Sequence, residues 1–391
     1  MTAEALHVLA LNSGSSSLKF GLYRVAASGP EALVSGAAEA IGAAQSIFAA
    51  QDAQHNALVR ETAPIATQKE AIIRIVRLLT ECRVPAPQAV GHRVVHGGPK
   101  LLKHCLIDAA VLQQLSAAVV FAPLHTPPAL CVIRYALEHF PNLPHAACFD
   151  TSFHADLPQV ARVLPLARKW QAQGVRRYGF HGLSCESIVR QLGAELPQRL
   201  VIAHLGNGSS ITAVKEGQSI DTSMGLTPTG GVMMGTRSGD LDPGVLLYLL
   251  REKHFDAALL EELVDRHSGL LGVSGVGSDM RELRSAAPAN ADAALAIEMF
   301  CYSVRKQIAA MIAVLDGADL IVFTGGIGEH DAQARAAICQ GLACMGVALD
   351  ATRNRQAQDP ISAAGSRAAV RVLISQEDAQ IAHHTRDLSA R

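Results

Sequence analysis

Three short turns rich in glycine and serine each follow an apolar, strand-like run: residues 12–17 (Asn-Ser-Gly-Ser-Ser-Ser), 206–210 (Gly-Asn-Gly-Ser-Ser) and 325–329 (Gly-Gly-Ile-Gly-Glu). Glycine lets a backbone approach a ligand closely, and successive N–H groups in a tight turn form a cradle for an anion. Phosphate binding is the chemistry these turns share, with Lys19 just past the first able to meet a phosphate oxygen. Any one of them alone reads as an ordinary hairpin turn. Neither the Walker A pattern nor the dinucleotide fingerprint is matched, which argues against a P-loop or Rossmann enzyme.

Two arginines stand out by their neighbours. Arg93 lies in a β-branched run that ends in Gly97-Gly98, and Arg237 lies in Gly235-Thr-Arg-Ser-Gly239 among residues too small to screen it. Arginine is the side chain suited to two-pronged capture of a carboxylate or phosphate. Among sixteen histidines, His181 is singled out by its setting, Tyr178-Gly-Phe-His-Gly182. His92 and His96 are four apart in a strand-like run and lack the helix and Glu of a zinc-protease motif, so zinc is not expected.

The elements that must position these groups read as follows. Val8–Leu11 and Leu18–Tyr23 form a hairpin around the first turn. A helix is predicted from Gln68 to Cys82, and another from Pro127 to His139 with Thr126 as its cap. The run His145–Phe149 delivers Asp150 at a strand end. Near residue 200 the opening pattern returns: a strand Leu200–Leu205, a turn over 206–210, and a strand Ile211–Lys215. Laying Gly208 on Gly14 also matches Leu205 to Leu11, Ser209 to Ser15 and Ser210 to Ser16, as two related domains would. Asp242-Pro243 and Asn290 open further helices. Leu320–Phe323 reads as a strand leading into the glycine turn at 325–329 and then a helix near Asp331.

The 391 residues exceed what one core usually organises, so two domains are expected. Of these residues 49% are apolar and 18% charged, which suits a large buried core. Lys and Arg total 34 against 35 Asp and Glu, so no global field draws nucleic acid or anionic lipid. Eight cysteines without a C-x-x-C pair read as reduced thiols. No basic leader and no apolar run of about 18 residues is present, so the expectation is a cytoplasmic protein with no membrane span.

Taken in order along the chain, these stretches resemble the acetate kinase family, with its propionate and butyrate kinase relatives. The resemblance rests on Asn12–Lys19, Gly91–Gly98, Ala122–His125, Phe149–His154, Tyr178–Gly182, His204–Gly208, Met233–Asp240, Ser278–Arg281 and Phe323–Glu329. It implies an α/β fold of two duplicated actin-like ATPase (ribonuclease H-like) domains with a nucleotide cleft between them. The expected boundaries are 1–150 plus 378–391 for the acyl and Mg²⁺ side, and 151–377 for nucleotide binding and dimerisation. It further implies reversible transfer of the γ-phosphoryl group of ATP to acetate, with Mg²⁺ (or Mn²⁺) as cofactor, in a homodimer without nucleic-acid or membrane partners.

Site residues follow by motif. Asn12 and Glu377 resemble the metal-holding residues and Lys19 a phosphate contact; Arg93 resembles the acetate clamp, with Asp150, His181 and Arg237 around the moving phosphoryl group. Val95, Leu124, Phe180 and Pro228 match the apolar wall around the acetate methyl. His204, Leu205, Gly206, Asn207 and Gly208 resemble a β/γ-phosphate loop. Asp279, Met280 and Arg281, with Gly326, Ile327, Gly328, Glu329 and His330, resemble an adenosine pocket.

The chain departs from the family pattern at Leu183-Ser184-Cys185, at Thr229-Gly230, at His330, and at Gln376-Glu377-Asp378. None of these removes a charge from the transfer centre. A propionate kinase, another actin-like ATPase such as a chaperone or filament protein, and a sugar kinase using Asp150 as base stay open as rivals.

Overall fold

The computed structural model describes residues 5–14, 16–123 and 126–390. It divides into two compact units: unit 1, residues 1–155, 182–187 and 376–391, and unit 2, residues 156–181 and 188–375. Unit 1 thus takes in residues 151–155, 182–187 and 376–377, which the sequence reading assigned to the second domain.

Unit 1 is built on an eight-stranded sheet. Its strands are β1 (Leu6–Ser13), β2 (Leu18–Ala26), β3 (Gly29–Glu39), β4 (Ile47–Asp52), β5 (Ala57–Thr62), β6 (Ala89–Val94), β7 (Cys105–Leu106) and β8 (His145–Phe149), in the order β5-β4-β3-β2-β1-β6-β8-β7. Successive side chains of a strand point to opposite faces, and both faces are covered. Leu9, Leu11 and Val90 pack with Ile72, Ile75 and Leu79 of the helix Gln68–Glu81 and Val132 and Ala136 of the helix Thr126–His139. Val8, Ala10 and Ala89 pack with Ala379, Ile381 and Ala382 of the last helix, Glu377–Ser389. Thr67 caps the helix Gln68–Glu81, its side chain accepting from Glu70 N–H, while Glu70 reaches back to Ala66 N–H.

Gly91 explains how closely the last helix approaches. A Cβ at Gly91 would run into Thr385 Oγ1 and Ile381 Cγ2. Only a residue without a side chain lets that helix lie directly on β6.

Unit 2 carries a five-stranded sheet of β9 (Arg199–Leu205), β10 (Ser209–Lys215), β11 (Gln218–Thr222), β12 (Leu320–Thr324) and β13 (Ala369–Val372), ordered β11-β10-β9-β12-β13. Val201, Ala203, Leu205, Ile211 and Ala213 form its core with Phe300, Val304 and Ile308 of the helix Ala291–Val314. Asn290 caps that helix by accepting from Asp292 and Ala293 N–H.

The two sheets repeat one plan. In β3-β2-β1-β6-β8 and in β11-β10-β9-β12-β13 the first two pairings are antiparallel and the last two parallel. The hairpins that begin at residues 6 and 199 occupy the same place in each.

Some local expectations needed correction. Ser209 and Ser210 belong to β10 and not to the turn, which is only Gly206–Gly208. The stretch 325–329 is no free turn: a short helix, Gly325–His330, starts straight from β12, with Gly325 at φ +76° making the sharp bend. His92 lies within β6 but His96 lies beyond it, where its Nδ1 accepts from Gly98 N–H. Among the described residues no helix is long and apolar enough to cross a membrane.

Candidate active site

In unit 1 the ends of β1, β6 and β8 and the start of the last helix bring together Asn12, Arg93, Asp150, Glu377 and Asp378. Arg93 grips Asp150 with two prongs, Nη2 to Oδ2 at 2.6 Å and Nε to Oδ1 at 3.0 Å. Its Nη1 donates to Asn12 Oδ1 at 3.1 Å. The Asn12 amide nitrogen in turn donates to Asp378 Oδ1 at 2.8 Å and Glu377 Oε2 at 3.2 Å. One asparagine therefore links the arginine to two carboxylates.

The electrostatics of this cluster follow from burial. Desolvation works against the Arg93 charge, but Asp150, Glu377 and Asp378 outweigh it and hold the guanidinium firmly protonated. Burial pushes the Asp150 carboxyl up, against the pull of Arg93. Burial likewise pushes Asp378 up; the Asn12 hydrogen bond lowers it, Glu377 raises it further, and Lys19 and Arg93 draw it down. Lys19 is exposed and sits opposite Asn12 in the β1–β2 register. Three carboxylates thus face two cations. Oxygen donors with surplus negative charge are what a hard divalent cation requires, so Asn12, Glu377 and Asp378 fit Mg²⁺. Val95 is buried just past β6, and Leu124 lies outside the described residues.

In unit 2 a second group forms around the turn between β9 and β10. His181, at φ +59°, has Nδ1 3.0 Å from Ser210 Oγ, and its ring stacks on His204 with centroids 4.2 Å apart. A Cβ at Gly208 would lie 3.3 Å from both His181 Nε2 and Arg237 Nη1, so these two nitrogens flank the same glycine. Arg237 Nη1 also donates to the carbonyl of Pro228 at 3.4 Å. Phe180 and Leu205 are buried, as is Pro228. A Cβ at Gly235 would meet the Asn207 side-chain amide, and the Gly235 N–H donates to Asn207 O at 3.1 Å.

Beside this turn lies a cavity of about 780 Å³, within the size range of small-molecule sites. Gly206, Asn207, Asp279, Met280, Arg281, Gly326, Ile327 and His330 all line it. Asp279 caps the helix Met280–Ala286 and pairs with Arg281 at 2.6 Å; hydrogen bonds from Arg281 hold its carboxyl at about 2.

Two of the expected pocket residues serve the scaffold. Glu329 Oε1 accepts from the N–H groups of Gly325 and Ser375, and Gly328 is buried against Phe323 and Ala203. Sequence reasoning named Asp378 and Ser210 only as parts of longer stretches, with no role of their own, and missed Arg284 and Arg355. Arg284 holds Asp331 at the cavity wall through Nε and Nη2, 2.8 and 2.9 Å, and Arg355 lines the same cavity. Asp378 was readable beside Glu377 at a helix start, where acidic side chains favour the dipole. Ser210 was readable as part of the 206–210 stretch, whereas Arg284 and Arg355 have no local signal.

Comparison with known proteins meets this geometry. The acetokinase family model matches residues 7–383. The chain belongs to the acetokinase family. An acetate kinase of Nitrobacter hamburgensis is 41% identical over 97% of this chain and 96% of its own length. An acetate kinase of Clostridium botulinum (strain 657 / Type Ba4) is 39% identical over 99% of this chain and all of its own. Among solved structures, a propionate kinase from Francisella tularensis superposes with a TM-score of 0.91 at 36% identity, covering 98% of this chain and 100% of that one. Porphyromonas gingivalis acetate kinase gives 0.87 at 34%, covering 98% and 99%. The two α/β units of this acetokinase accordingly have the actin-like ATPase type of fold.

Proposed function

We propose that this acetokinase catalyses reversible transfer of the γ-phosphoryl group of ATP to acetate, giving acetyl phosphate and ADP. The observation that carries the reading is the family match over nearly the whole chain, residues 7–383. The arrangement of charged groups supports it.

An acetate oxygen forms a bond to the γ-phosphorus, the bond from that phosphorus to the β–γ bridging oxygen breaks, and ADP leaves with the electron pair. Such transfer asks a protein mainly to align the reactants and neutralise charge on the moving group. Arg93 is suited to hold the acceptor carboxylate, and Asp150 fixes its guanidinium from the opposite side. The acceptor is already ionised at neutral pH, so no general base is needed, and Asp150 acts by orienting Arg93. Arg237 and His181 serve as donors to the transferring group, with Ser210 setting the imidazole. The 780 Å³ cavity takes the nucleoside. Val95 on unit 1, and Phe180 and Pro228 on unit 2, are the buried apolar residues that this reading assigns to the acyl group. Asn12, Glu377 and Asp378 would hold Mg²⁺, which when bound neutralises phosphate charge.

A homodimer also belongs to this reading. The helices Pro243–Glu252 and Ala291–Val314 expose Val245, Leu247, Tyr248, Leu250, Leu295, Met299 and Tyr302, an apolar display that suits a partner. A cytoplasmic setting fits the eight free cysteines.

The test is acyl phosphate formation from ATP and Mg²⁺, trapped with hydroxylamine, across acetate, propionate and butyrate. The highest kcat/KM is expected for acetate. One methylene in an apolar pocket is worth about 1–3 kcal/mol, so propionate should react more slowly but measurably. Higher kcat/KM for propionate would favour a propionate kinase, the activity named for the Francisella protein. Phosphate release without acyl phosphate would refute the reading.

A further inference from the structure

Behind the Arg93 cluster lies a group of titratable side chains that the mechanism leaves unused. His104 precedes β7, Glu186 lies on the helix Gly182–Leu192, and His384 lies on the last helix. His384 Nε2 is 2.8 Å from Glu186 Oε2, and His104 Nε2 faces the same oxygen at 3.5 Å. All three side chains are less than 20% exposed. Burial alone would raise Glu186, but the two imidazoles outweigh it and hold the carboxyl at about 2, so it is ionised at neutral pH.

Two imidazoles and a carboxylate could also be read as ligands for a transition metal, since their donor atoms lie within 4.8 Å of one another. The tautomer of His104 argues against that. The N–H of Phe149 donates to His104 Nδ1 at 3.0 Å, so Nδ1 carries no proton and the neutral ring bears it on Nε2, towards Glu186. A metal-bound imidazole needs the reverse, a bare Nε2 and an Nδ1–H donating outward.

The cluster instead links, through the helix Gly182–Leu192, two segments that carry site residues, the end of β8 and the last helix. Phe149 ends β8 and is followed by Asp150, whose carbonyl accepts from Gly182 N–H at 2.8 Å. Gly182 opens the helix that carries Glu186. His384 lies about two turns along the helix that Glu377 and Asp378 begin.

We propose that His104, Glu186 and His384 are positioning residues for phosphoryl transfer, a buried brace that fixes the last helix, with Glu377 and Asp378, against β8 and Asp150. The inference rests on the acyl-kinase reading above. It differs from a general stabilising role in what it alters: the metal-side carboxylates and the Arg93–Asp150 pair, not the nucleotide cavity, which is lined by unit 2 residues alone.

The experiment compares the wild type with Glu186→Gln, His104→Asn and His104→Leu in the full chain, measuring acyl phosphate formation against Mg²⁺ and ATP, with a thermal melt for each. Gln keeps the shape of Glu186 without its charge. The expected result is a kcat at least tenfold lower and about a tenfold higher Mg²⁺ requirement, with KM for ATP within about twofold. His104→Asn offers its amide oxygen to Phe149 N–H and should recover part of the rate lost in His104→Leu; this pair carries the test if Glu186→Gln does not fold. An active wild type beside variants with unchanged kcat and Mg²⁺ requirement overturns the brace alone. So does a loss spread equally over kcat, Mg²⁺ and ATP. A wild type that forms no acyl phosphate overturns the kinase reading and the brace with it. Tight binding of one Zn²⁺ per chain, lost in Glu186→Gln, overturns the tautomer assignment and the brace in favour of a metal site.

Discussion

A methyl group at Gly208 would test the corner where Arg237 and His181 meet. It would sit 3.3 Å from Arg237 Nη1 and 3.3 Å from His181 Nε2. Comfortable heavy-atom contact is about 3.5–4.0 Å, so each nitrogen must retreat by about 0.2–0.7 Å. Neither moves freely: Arg237 Nη1 is tied to Pro228 O and His181 Nδ1 to Ser210 Oγ. Gly208 does not have a positive φ, so alanine suits its backbone and the fold should stay within about 1 kcal/mol of wild type. A misplacement of about 1 Å at a reacting centre costs about a hundredfold in rate. Gly208→Ala is therefore expected to lower kcat about 10- to 50-fold, or about 1.4–2.3 kcal/mol of transition-state stabilisation. KM for acetate should change little, because the Arg93 clamp is built from other residues. Steady-state acyl phosphate assays with a thermal melt measure all of this. A variant with kcat within twofold of wild type and an unchanged melt would refute the assignment of Arg237 and His181 to the moving phosphoryl group.

Other perturbations follow from the same geometry. Arg237→Ala should lower kcat by at least a hundredfold with acetate KM within a few-fold; a loss carried by KM would make Arg237 a ground-state binder. Asp378 has its pKa raised by burial, so ionising it opposes folding at neutral pH. Asp378→Asn should therefore melt at or above the wild-type temperature without Mg²⁺, yet lose activity and most of the Mg²⁺-induced rise in melting temperature; a lower metal-free melt would contradict this. Glu186, held at about 2 against an ordinary 4.5, contributes stability that is full above about pH 4.5 and lost as pH falls towards 2. The gap between wild type and Glu186→Gln in denaturant unfolding, on the order of 3 kcal/mol at most, should be flat above pH 5 and close below it. A gap that instead widened on acidification would show the sign to be wrong. Leu247→Asp should turn a dimer into a monomer in sedimentation, and an unchanged mass would remove that helix from the interface.

Much of the candidate site was readable because the turns and arginines lie in short, distinctive strings. Asn12, Arg93 and Asp150 each close a buried strand, and strand ends are legible from apolar runs that stop at polar residues. The duplication was visible as four matching residues, and the common strand order and pairing of the two sheets give it physical content. What sequence missed had no local pattern. Strand β3 is rich in alanine and glycine, with only Val34 and Ala38 buried, so no alternation marks it as a strand. The six residues after β12 read as a loop because glycine is a poor helix former, yet Thr324 and the Glu329 carboxylate hold them helical. His104, Glu186 and His384 are scattered over 280 positions and meet only in the folded unit.

Unit 1 is drawn from separated stretches of the chain. Residues 376–391 are translated only after all of unit 2, yet they cover one face of the first sheet and carry Glu377 and Asp378. On the ribosome, β1, β2 and β6 must wait with that face bare while some two hundred further residues emerge, an interval in which exposed apolar surface invites association with chaperones. The half-made protein therefore has all eight strands of its first sheet but lacks both the cover of that face and the carboxylates of Glu377 and Asp378, which arrive together when the last helix docks against Gly91.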